Sequence, residues 1–336
     1  MQAIAYTTPG AIERKNTLQD IIVDKPQAEG RDLLVNIKAV SVNPVDTKLR
    51  RRVAPEGQQR VLGFDASGVV EAVGSEVQNF KPGDAVFYAG SIARPGTNSE
   101  YHLVDERIVG HKPNSLTDPE AAALPLTALT AWEMLFDRLQ INRPTAQGGK
   151  TLLIIGGAGG VGSIAIQLVR ALTDITIIAT ASRPTTQNWV RKCGAHHVID
   201  HRQPLAPQVA ALDIGAPGFV FSTTQTDQHS ADIVELIAPQ GRFGLIDDPE
   251  TLDVLPLKRK AISLHWELMF TRSLFNTPDI AEQGKLLNEV AKLVDAGQIR
   301  STMTEIAGTI NAENLRTAHA KIESGTARGK IVLAGF

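Results

Sequence analysis

The sequence predicts an α/β protein in which a doubly wound parallel sheet is combined with a β-rich region. A glycine-rich turn lies between an apolar run and a helical pattern at residues 151–172. Strand-like and helix-like segments alternate from residue 150 to residue 245, and short β-prone segments separated by turns occupy residues 1–110. The alternation favours parallel strands joined by right-handed crossovers, with helices on both faces of the sheet.

Length and composition limit the class of protein. The 336 residues can form two domains, and 43% hydrophobic with 21% charged residues is ordinary for a soluble globular protein. A net charge of −2 gives no reason to expect a nucleic acid or an anionic membrane as a partner. The N-terminus lacks the pattern of a secretory signal, and the single cysteine, Cys193, excludes an internal disulfide, so we expect a cytoplasmic protein.

The N-terminal region contains three strand candidates, at 33–40, 66–73 and 85–88. Lys81-Pro82-Gly83-Asp84 predicts a turn before the third of them. A helix should begin at Asp118-Pro119-Glu120, with Asp118 as its N-cap, and Pro125 should interrupt it.

The alternating region provides five strand candidates with helices between them. The strands are expected at 151–155, 175–180, 197–199, 219–221 and 242–245. The helices are expected at 161–172, 184–193, 205–212 and 227–237. Beyond residue 260 we expect a long amphipathic helix near 278–297 and a final strand in KIVLAGF, 330–336.

The stretch TLLIIGGAGGVGSIAIQLV, 151–169, has no charged side chain and is long enough to span a membrane. Its five glycines argue against that, because each costs about 1 kcal/mol relative to alanine inside a helix. The pattern instead indicates a strand, a turn and a helix.

Within this turn, Gly157, Gly159 and Gly162 form G-x-G-x-x-G directly after a strand and at the start of a helix. Glycines allow a tight turn and close packing, and the free N–H groups at the helix start suit a pyrophosphate. We therefore expect a dinucleotide to contact Gly157, Gly159, Gly160, Val161 and Gly162. A glycine turn without a ligand is the alternative.

Four segments together resemble the medium-chain dehydrogenase/reductase superfamily over essentially the whole chain: SVNPVDTKLR (41–50), VLGFDASGVVEAVGSEVQNFKPGDAV (61–86), LPLTALTAWEML (124–135) and IIGGAGGVG (154–162). The chain is similar to the quinone oxidoreductase branch, in a subgroup often labelled zinc-type alcohol dehydrogenase-like. The resemblance implies a β-rich, GroES-like catalytic domain formed by 1–124 and 265–336. It also implies a Rossmann-type NADP-binding domain at 125–264, inserted between the two parts, and a homodimer.

The zinc label conflicts with the residues themselves. Zinc members of the superfamily place ligands at the positions of Asn43, of Phe64-Asp65 and near Leu126, where this chain has asparagine, phenylalanine and leucine. These side chains cannot supply the donors that Zn²⁺ requires. The cysteines of the structural zinc site are also missing from 88–110. We therefore expect no bound metal.

The chemistry expected without zinc is reduction of an activated acceptor. Zinc stabilises an alkoxide during alcohol oxidation, whereas a quinone or an α,β-unsaturated carbonyl delocalises the incoming charge onto its own oxygen. The sequence therefore predicts an NADPH-dependent oxidoreductase that reduces quinones or enones by direct hydride transfer. A zinc alcohol dehydrogenase, or an NADPH-binding sensor or structural protein without turnover, are the alternatives.

Three catalytic-side candidates follow from the resemblance. Asn43 is expected beside the nicotinamide ribose, although Asn43-Pro44 is also a turn signal. Lys48 could supply a proton or hold an oxyanion, or could be one solvated charge of a basic cluster. Thr127 is implied as a nicotinamide-side contact, with helix packing as the alternative.

The adenosine end of the cofactor is expected at Ser182 and Arg183, about twenty residues beyond the glycine motif. No carboxylate stands there to repel a 2′-phosphate, and an arginine fork suits phosphate oxygens, so we expect NADPH rather than NADH. The resemblance places His201 against the adenosine, with a surface histidine as the alternative. Ser222 and Leu245, at the ends of the fourth and fifth strands, should face the cofactor, and the contacts at Ser222 are expected through the backbone.

Overall fold

The computed structural model describes residues 1–14, 16–143, 145 and 149–336. Its strands in chain order are β1 (Gln2–Tyr6), β2 (Gln19–Ile22), β3 (Asp32–Ser41), β4 (Arg60–Val61), β5 (Ala66–Val73), β6 (Ala85–Tyr88), β7 (Tyr101–Asp105), β8 (Gly110–His111), β9 (Thr151–Ile155), β10 (Thr176–Thr180), β11 (His197–Ile199), β12 (Phe219–Ser222), β13 (Arg242–Leu245), β14 (Ser263–Trp266), β15 (Met303–Ile306) and β16 (Lys330–Ala334). Its α-helices are α1 (Pro44–Arg52), α2 (Asp118–Ala122), α3 (Pro125–Trp132), α4 (Gly160–Leu172), α5 (Pro184–Cys193), α6 (Leu205–Ala210), α7 (Thr226–Leu236), α8 (Thr271–Phe275), α9 (Glu282–Asp295) and α10 (Ala312–Glu323). Short 3₁₀ helices cover Glu106–Ile108 and Leu255–Lys260, and Glu133–Arg138 is a π-helical segment.

The described chain divides into two compact units. The first contains Met1–Leu129 and Phe270–Phe336, and the second contains Thr130–Met269. The first unit is thus built from both ends of the chain. From the sequence, the boundaries between the catalytic and NADP-binding domains are expected at 125 and 265. Those boundaries stay predictions, because they are defined by function and the two units are defined by compactness.

The first unit contains two sheets. The larger has the order β15-β16-β3-β5-β6-β8, with β7 also paired to β3, and the smaller has the order β2-β1-β4. Strand β16 runs antiparallel to β3 with Val332 opposite Ser41, and the Val42 amide continues the pairing by donating to the Ile331 carbonyl at 3.1 Å. This register brings the start of the last strand beside the segment that follows β3.

The second unit contains a six-stranded parallel sheet with the order β11-β10-β9-β12-β13-β14. Numbered from β9, this is the 3-2-1-4-5-6 order of doubly wound nucleotide-binding folds. The central strand β9 is buried at all five positions. The predicted fold class is confirmed.

The sixth strand, β14, is absent from the sequence-based prediction. Its two end residues, Ser263 and Trp266, are exposed and its two middle residues are half-buried, so it lacks the apolar run that marks the inner strands. Parallel pairing with β13 creates this edge strand, and that pairing is a tertiary contact.

The helix begins at Asp118, but its N-cap lies one residue earlier than expected. Thr117 is the N-cap, because its amide and hydroxyl both donate to the Glu120 carboxylate, at 3.0 and 2.6 Å. Asp118 is the first helical residue, and its carboxylate accepts from the Ser67 hydroxyl at 2.8 Å. The helical region is interrupted near Pro125, as predicted: α2 ends at Ala122, and a separate helix, α3, begins at Pro125.

Residues 151–169 form strand β9, the glycine turn and most of α4, as the glycine pattern predicts. Among the described residues, no helix has the length and apolar character needed to cross a membrane.

Candidate active site

The glycine turn between β9 and α4 requires glycine at two positions. Gly156 has φ +81°, a conformation that other residues rarely adopt. A Cβ on Gly162 would lie 2.4 Å from the Gly156 carbonyl oxygen, which is backbone and cannot rotate away. By contrast, a Cβ on Gly159 would meet its nearest neighbour at 3.5 Å, an ordinary contact. The turn therefore has no room for a side chain at Gly162 but has room for one at Gly159.

The turn is fastened to strand β10. The Gly156 amide donates to the Thr180 hydroxyl at 3.0 Å, and the Gly157 amide donates to the Thr180 carbonyl at 3.2 Å. Gly159 is the N-cap of α4 and has no side chain to bond the first N–H groups of that helix, while Gly160 and Val161 are half-buried. This cradle fits a pyrophosphate.

Beyond β10, the predicted adenosine-side residues lie at the same edge of the sheet. Ser182 is half-buried, and Arg183 is exposed as the N-cap residue of α5. The neighbouring loop after β11 adds Arg202, which the sequence analysis did not single out. Its Nη2 donates to the Ser182 carbonyl at 2.9 Å, and Nε and Nη2 also bond the Asp200 carboxylate, at 3.1 and 2.6 Å. Two guanidinium groups, those of Arg183 and Arg202, therefore lie at this corner.

His201 lies between these arginines in sequence and is half-buried. Its Nδ1 atom is buried and has no hydrogen-bond partner among the described residues. Burial lowers the pKa of His201, and the positive charges of Arg202 and Arg183 lower it further, against the opposing effect of Asp200. These effects favour the neutral imidazole, and its Nδ1 atom is closed to solvent.

The strand ends at Ser222 and Leu245 are both fully buried. The Ser222 hydroxyl is used inside the unit, where it bonds the Thr226 hydroxyl at 2.7 Å, and Thr226 in turn donates to Asp247 at 2.5 Å. Any contact from Ser222 to a ligand would therefore come from its backbone.

In the first unit, the buried carboxylate of Asp65 organises a polar cluster. Oδ2 accepts from the Ser41 hydroxyl at 2.8 Å, from Asn43 Nδ2 at 2.8 Å and from Lys330 Nζ at 2.9 Å. Oδ1 accepts from the Leu126 amide at 2.7 Å. Segments far apart in sequence thus meet at one charge, and all four of these donors belong to the first unit.

Asn43, the N-cap residue of α1, is 1% exposed, and its whole amide is engaged inside the cluster. Nδ2 also approaches the Phe64 carbonyl at 3.4 Å, and Oδ1 accepts from Lys330. Lys330 is 3% exposed, and its third acceptor is the Val42 carbonyl at 3.2 Å. Sequence reasoning missed Lys330; the available signal was a charged residue at the start of an apolar terminal strand.

Asp46, on α1, lies beside this cluster. Its carboxylate accepts from the Asn43 amide at 2.7 Å and from the Gly63 amide at 3.0 Å. Burial raises the pKa of Asp46 to about 7, although these two hydrogen bonds and Lys330 act in the opposite direction. Asp46 joins α1 to the segment that carries Phe64 and Asp65.

The other two catalytic-side candidates lie on helices of the first unit. Lys48 is half-buried on α1. Thr127 is buried on α3, and its hydroxyl donates to the Leu124 carbonyl at 3.1 Å, a local bond from a side chain to the backbone three residues earlier.

The cluster does not fit a zinc ion. Of the positions that match zinc ligands, Phe64 packs edge to face against Phe270, and Leu126 contributes its backbone amide, which is a donor. The carboxylate of Asp65 is already bonded to an ammonium, and no group of three or more His, Cys, Asp or Glu side chains in the described part of the chain could hold a metal.

Comparisons with known proteins identify the family. Residues 29–114 match the alcohol dehydrogenase GroES-like domain, and residues 193–333 match the zinc-binding dehydrogenase family. A zinc-type alcohol dehydrogenase-like protein of Staphylococcus aureus is 40% identical over 335 residues, which cover 99% of each chain. The chain belongs to the medium-chain dehydrogenase/reductase superfamily. It is an oxidoreductase of that superfamily, and its expected cofactor is a nicotinamide dinucleotide.

Further relatives agree with this assignment. A human mitochondrial NAD(P)H oxidoreductase is 33% identical over 332 residues, covering 90% of this chain and 81% of the human one. A crystal structure from Rhizobium etli CFN 42, provisionally described as a zinc-dependent alcohol dehydrogenase, has a TM-score of 0.99 with 61% identity, covering 100% of this chain and 98% of that one. The Escherichia coli quinone oxidoreductase complexed with NADPH has a TM-score of 0.83 with 22% identity over 99% of this chain and 100% of that one, and shares the fold.

The glycine turn generates a prediction with an internal control. Gly162→Ala should lower the free energy of unfolding by about 1–3 kcal/mol, because the overlap with the Gly156 carbonyl outweighs the gain in helix propensity of about 1 kcal/mol. Gly159→Ala, where a Cβ has room, is the matched control and should change stability little. Urea denaturation of both variants measures this, and equal stabilities would show that the turn yields at Gly162.

Proposed function

We propose that this chain is an NADPH-dependent, zinc-independent oxidoreductase that reduces quinones or α,β-unsaturated carbonyls by direct hydride transfer. The observation that carries the proposal is the polar cluster, where Asn43, Asp65 and Lys330 bond one another and leave no donor set for a metal. A chain without a Lewis acid requires an acceptor that stabilises its own developing charge.

Quinones and enones meet this requirement. When bound, the reduced nicotinamide supplies a hydride. In an enone the hydride adds to the β carbon, the electron pair of the double bond moves to the carbonyl oxygen, and the resulting enolate takes a proton from water or a side chain. The protein must orient the two reactants and exclude competing reactions. As the resemblance implies, we place Asn43 beside the nicotinamide, with Lys48 as the candidate proton donor and Thr127 as a further contact.

The activities for which two relatives are named are consistent with this proposal. The human relative is an NAD(P)H oxidoreductase, and the quinone oxidoreductase of Coxiella burnetii has a TM-score of 0.83 with 25% identity. The zinc-type label belongs to relatives such as the Staphylococcus aureus protein. For this chain, the side chains around Asp65 argue against carrying that label over.

The proposed preference for NADPH rests on the corner beyond β10. Arg183 and Arg202 both have guanidinium groups there, and Nη1 of Arg202 donates to no group in the described ranges. The Asp200 carboxylate at this corner is bonded by Arg202 in a bidentate pair. A 2′-phosphate would therefore meet net positive charge at this corner.

The experiment that tests the function is turnover by protein stripped of metal with a chelator. Metal content is measured by mass spectrometry. The near-ultraviolet absorbance of the reduced nicotinamide is followed as NADPH is oxidised by a panel of quinones and enones, and as NADP⁺ is reduced by simple alcohols. We expect turnover of quinones or enones that chelation leaves unchanged, and no oxidation of simple alcohols.

Two outcomes would contradict this function. Activity that disappears on chelation and returns with zinc would establish a metal enzyme. Tight NADPH binding without turnover of any acceptor in the panel would instead favour a cofactor-binding sensor or structural protein.

The cofactor preference has its own prediction. Arg183→Ala should weaken NADPH binding by about tenfold, because a hydrogen bond to a charged group contributes about 1.5 kcal/mol where it is exposed, and should leave NADH binding nearly unchanged. Arg202→Ala should act in the same direction. Arg191→Ala, an exposed arginine in the last turn of the same α5 helix, is the matched control. Fluorescence titration measures the dissociation constants, and equal affinity of the unmodified protein for both cofactors would refute the assignment.

We also propose a homodimer, which the resemblance implies. The edge strand β14 supports it, because Trp266 is 53% exposed and Leu268, just beyond the strand, is 50% exposed. Sedimentation equilibrium measures the mass, and a monomer at micromolar concentration would contradict this proposal.

A further inference from the structure

The ammonium group of Lys330 is buried at the start of the last strand, with 3% of the residue exposed. Its three acceptors are the Val42 carbonyl at 3.2 Å, the Asp65 carboxylate at 2.9 Å and the Asn43 side-chain oxygen. An ammonium has three N–H donors, so each donor of Lys330 has a partner. The group is therefore held in one place by the first unit alone.

Lys330 and Asp65 together determine which way the Asn43 amide points. Lys330 can only donate a hydrogen bond, and the ionised Asp65 can only accept one. The amide oxygen of Asn43 must therefore face Lys330, and its nitrogen must face Asp65, as the contacts show. A flipped amide would place its N–H groups against the ammonium and its oxygen against the carboxylate. Removal of either charge removes half of this constraint.

The same cluster occupies the positions that carry metal ligands in zinc members of the superfamily. Asn43 is one of those positions and Asp65 is the second residue of the Phe64-Asp65 pair at another. The amide of Leu126, near the third position, donates to the Asp65 carboxylate at 2.7 Å. The fixed positive charge among them comes from a side chain near the C-terminus of the chain. A covalently attached cation cannot be removed by a chelator. Unlike a catalytic metal, it has no open coordination position for a substrate oxygen.

We propose that Lys330 is the positioning residue of this site: its ammonium serves as the resident cation of the Asn43–Asp65 cluster and promotes turnover by fixing the orientation of the Asn43 amide. The proposal rests on the proposed function, in which Asn43 lies beside the nicotinamide. Lys330 acts through Asn43 and has no direct role in hydride transfer.

The test is a double-mutant cycle of Lys330→Met and Asn43→Ala, measured by kcat with NADPH and a 1,4-benzoquinone or an enone. Met keeps the length of the side chain and removes its charge. Lys330→Met should lower kcat by about tenfold or more in the unmodified background, and by less than about threefold when Asn43 is already alanine. Lys285→Met, an exposed lysine on α9 with 70% of its side chain accessible, is the control and should change nothing.

Two further readouts separate positioning from a general loss of structure. The NADPH dissociation constant of Lys330→Met, from fluorescence titration, should stay within about threefold of the unmodified value, so that the loss falls on kcat. The side-chain ¹H–¹⁵N signals of the Asn43 amide, assigned with Asn43→Ala, should shift in Lys330→Met and stay in place in Lys285→Met.

If Lys330→Met does not fold, Lys330→Arg replaces it in the cycle, since it keeps the charge while its planar group cannot reproduce the three bonds of an ammonium. Additive effects in the cycle, an unchanged kcat, or unchanged Asn43 amide signals would each overturn the proposal. Absence of turnover by the unmodified protein with every acceptor would refute the proposed function instead, and the Asn43 amide signals would still decide whether Lys330 orients that side chain.

Discussion

The first unit depends on one buried charge, the carboxylate of Asp65. It accepts hydrogen bonds from Ser41, Asn43, Leu126 and Lys330, which come from the end of β3, the start of α1, the start of α3 and the start of β16. An unpaired charge at that depth would be strongly unfavourable, so the Asp65 carboxylate and the Lys330 ammonium each stabilise the other in the buried site. The two ends of the chain are therefore joined by electrostatics as well as by the pairing of β3 with β16.

This arrangement bears directly on the chemistry open to the protein. A zinc ion would need deprotonated N, S or O donors directed at one point, whereas here those positions hold an amide, an aromatic ring and a backbone N–H. The cluster is already complete, with its positive charge supplied by the chain. The second unit contains a glycine turn and a positively charged corner, and both are suited to phosphate groups. These two features, each within its own unit, underlie the proposal of direct hydride transfer to an acceptor that stabilises its own developing charge.

The sequence predicted the elements that have a strong local pattern. The strand–turn–helix at 151–172 is an example, because apolar periodicity and obligatory glycines both lie within one short segment. Strand β14 and the Thr117 cap were missed or misplaced, since an edge strand lacks an apolar run and a cap is decided by where one hydroxyl and one carboxylate meet. Lys330 was missed, because its partners lie 265 and 287 residues away and a lysine in a sequence is normally a surface residue. Arg202 was missed for the same reason, because its bond to the Ser182 carbonyl joins two loops that lie twenty residues apart in sequence.

The central claim, hydride transfer to an activated acceptor without a metal, is tested most directly by following the hydride itself. Metal-free protein is incubated with an enone and with NADPH that carries deuterium on one face or the other of the nicotinamide C4, and the product is examined by NMR. The account predicts that one of the two deuterated cofactors places its label on the β carbon of the reduced enone. An unlabelled β carbon with both cofactors, or labelling only after zinc is added, would contradict it.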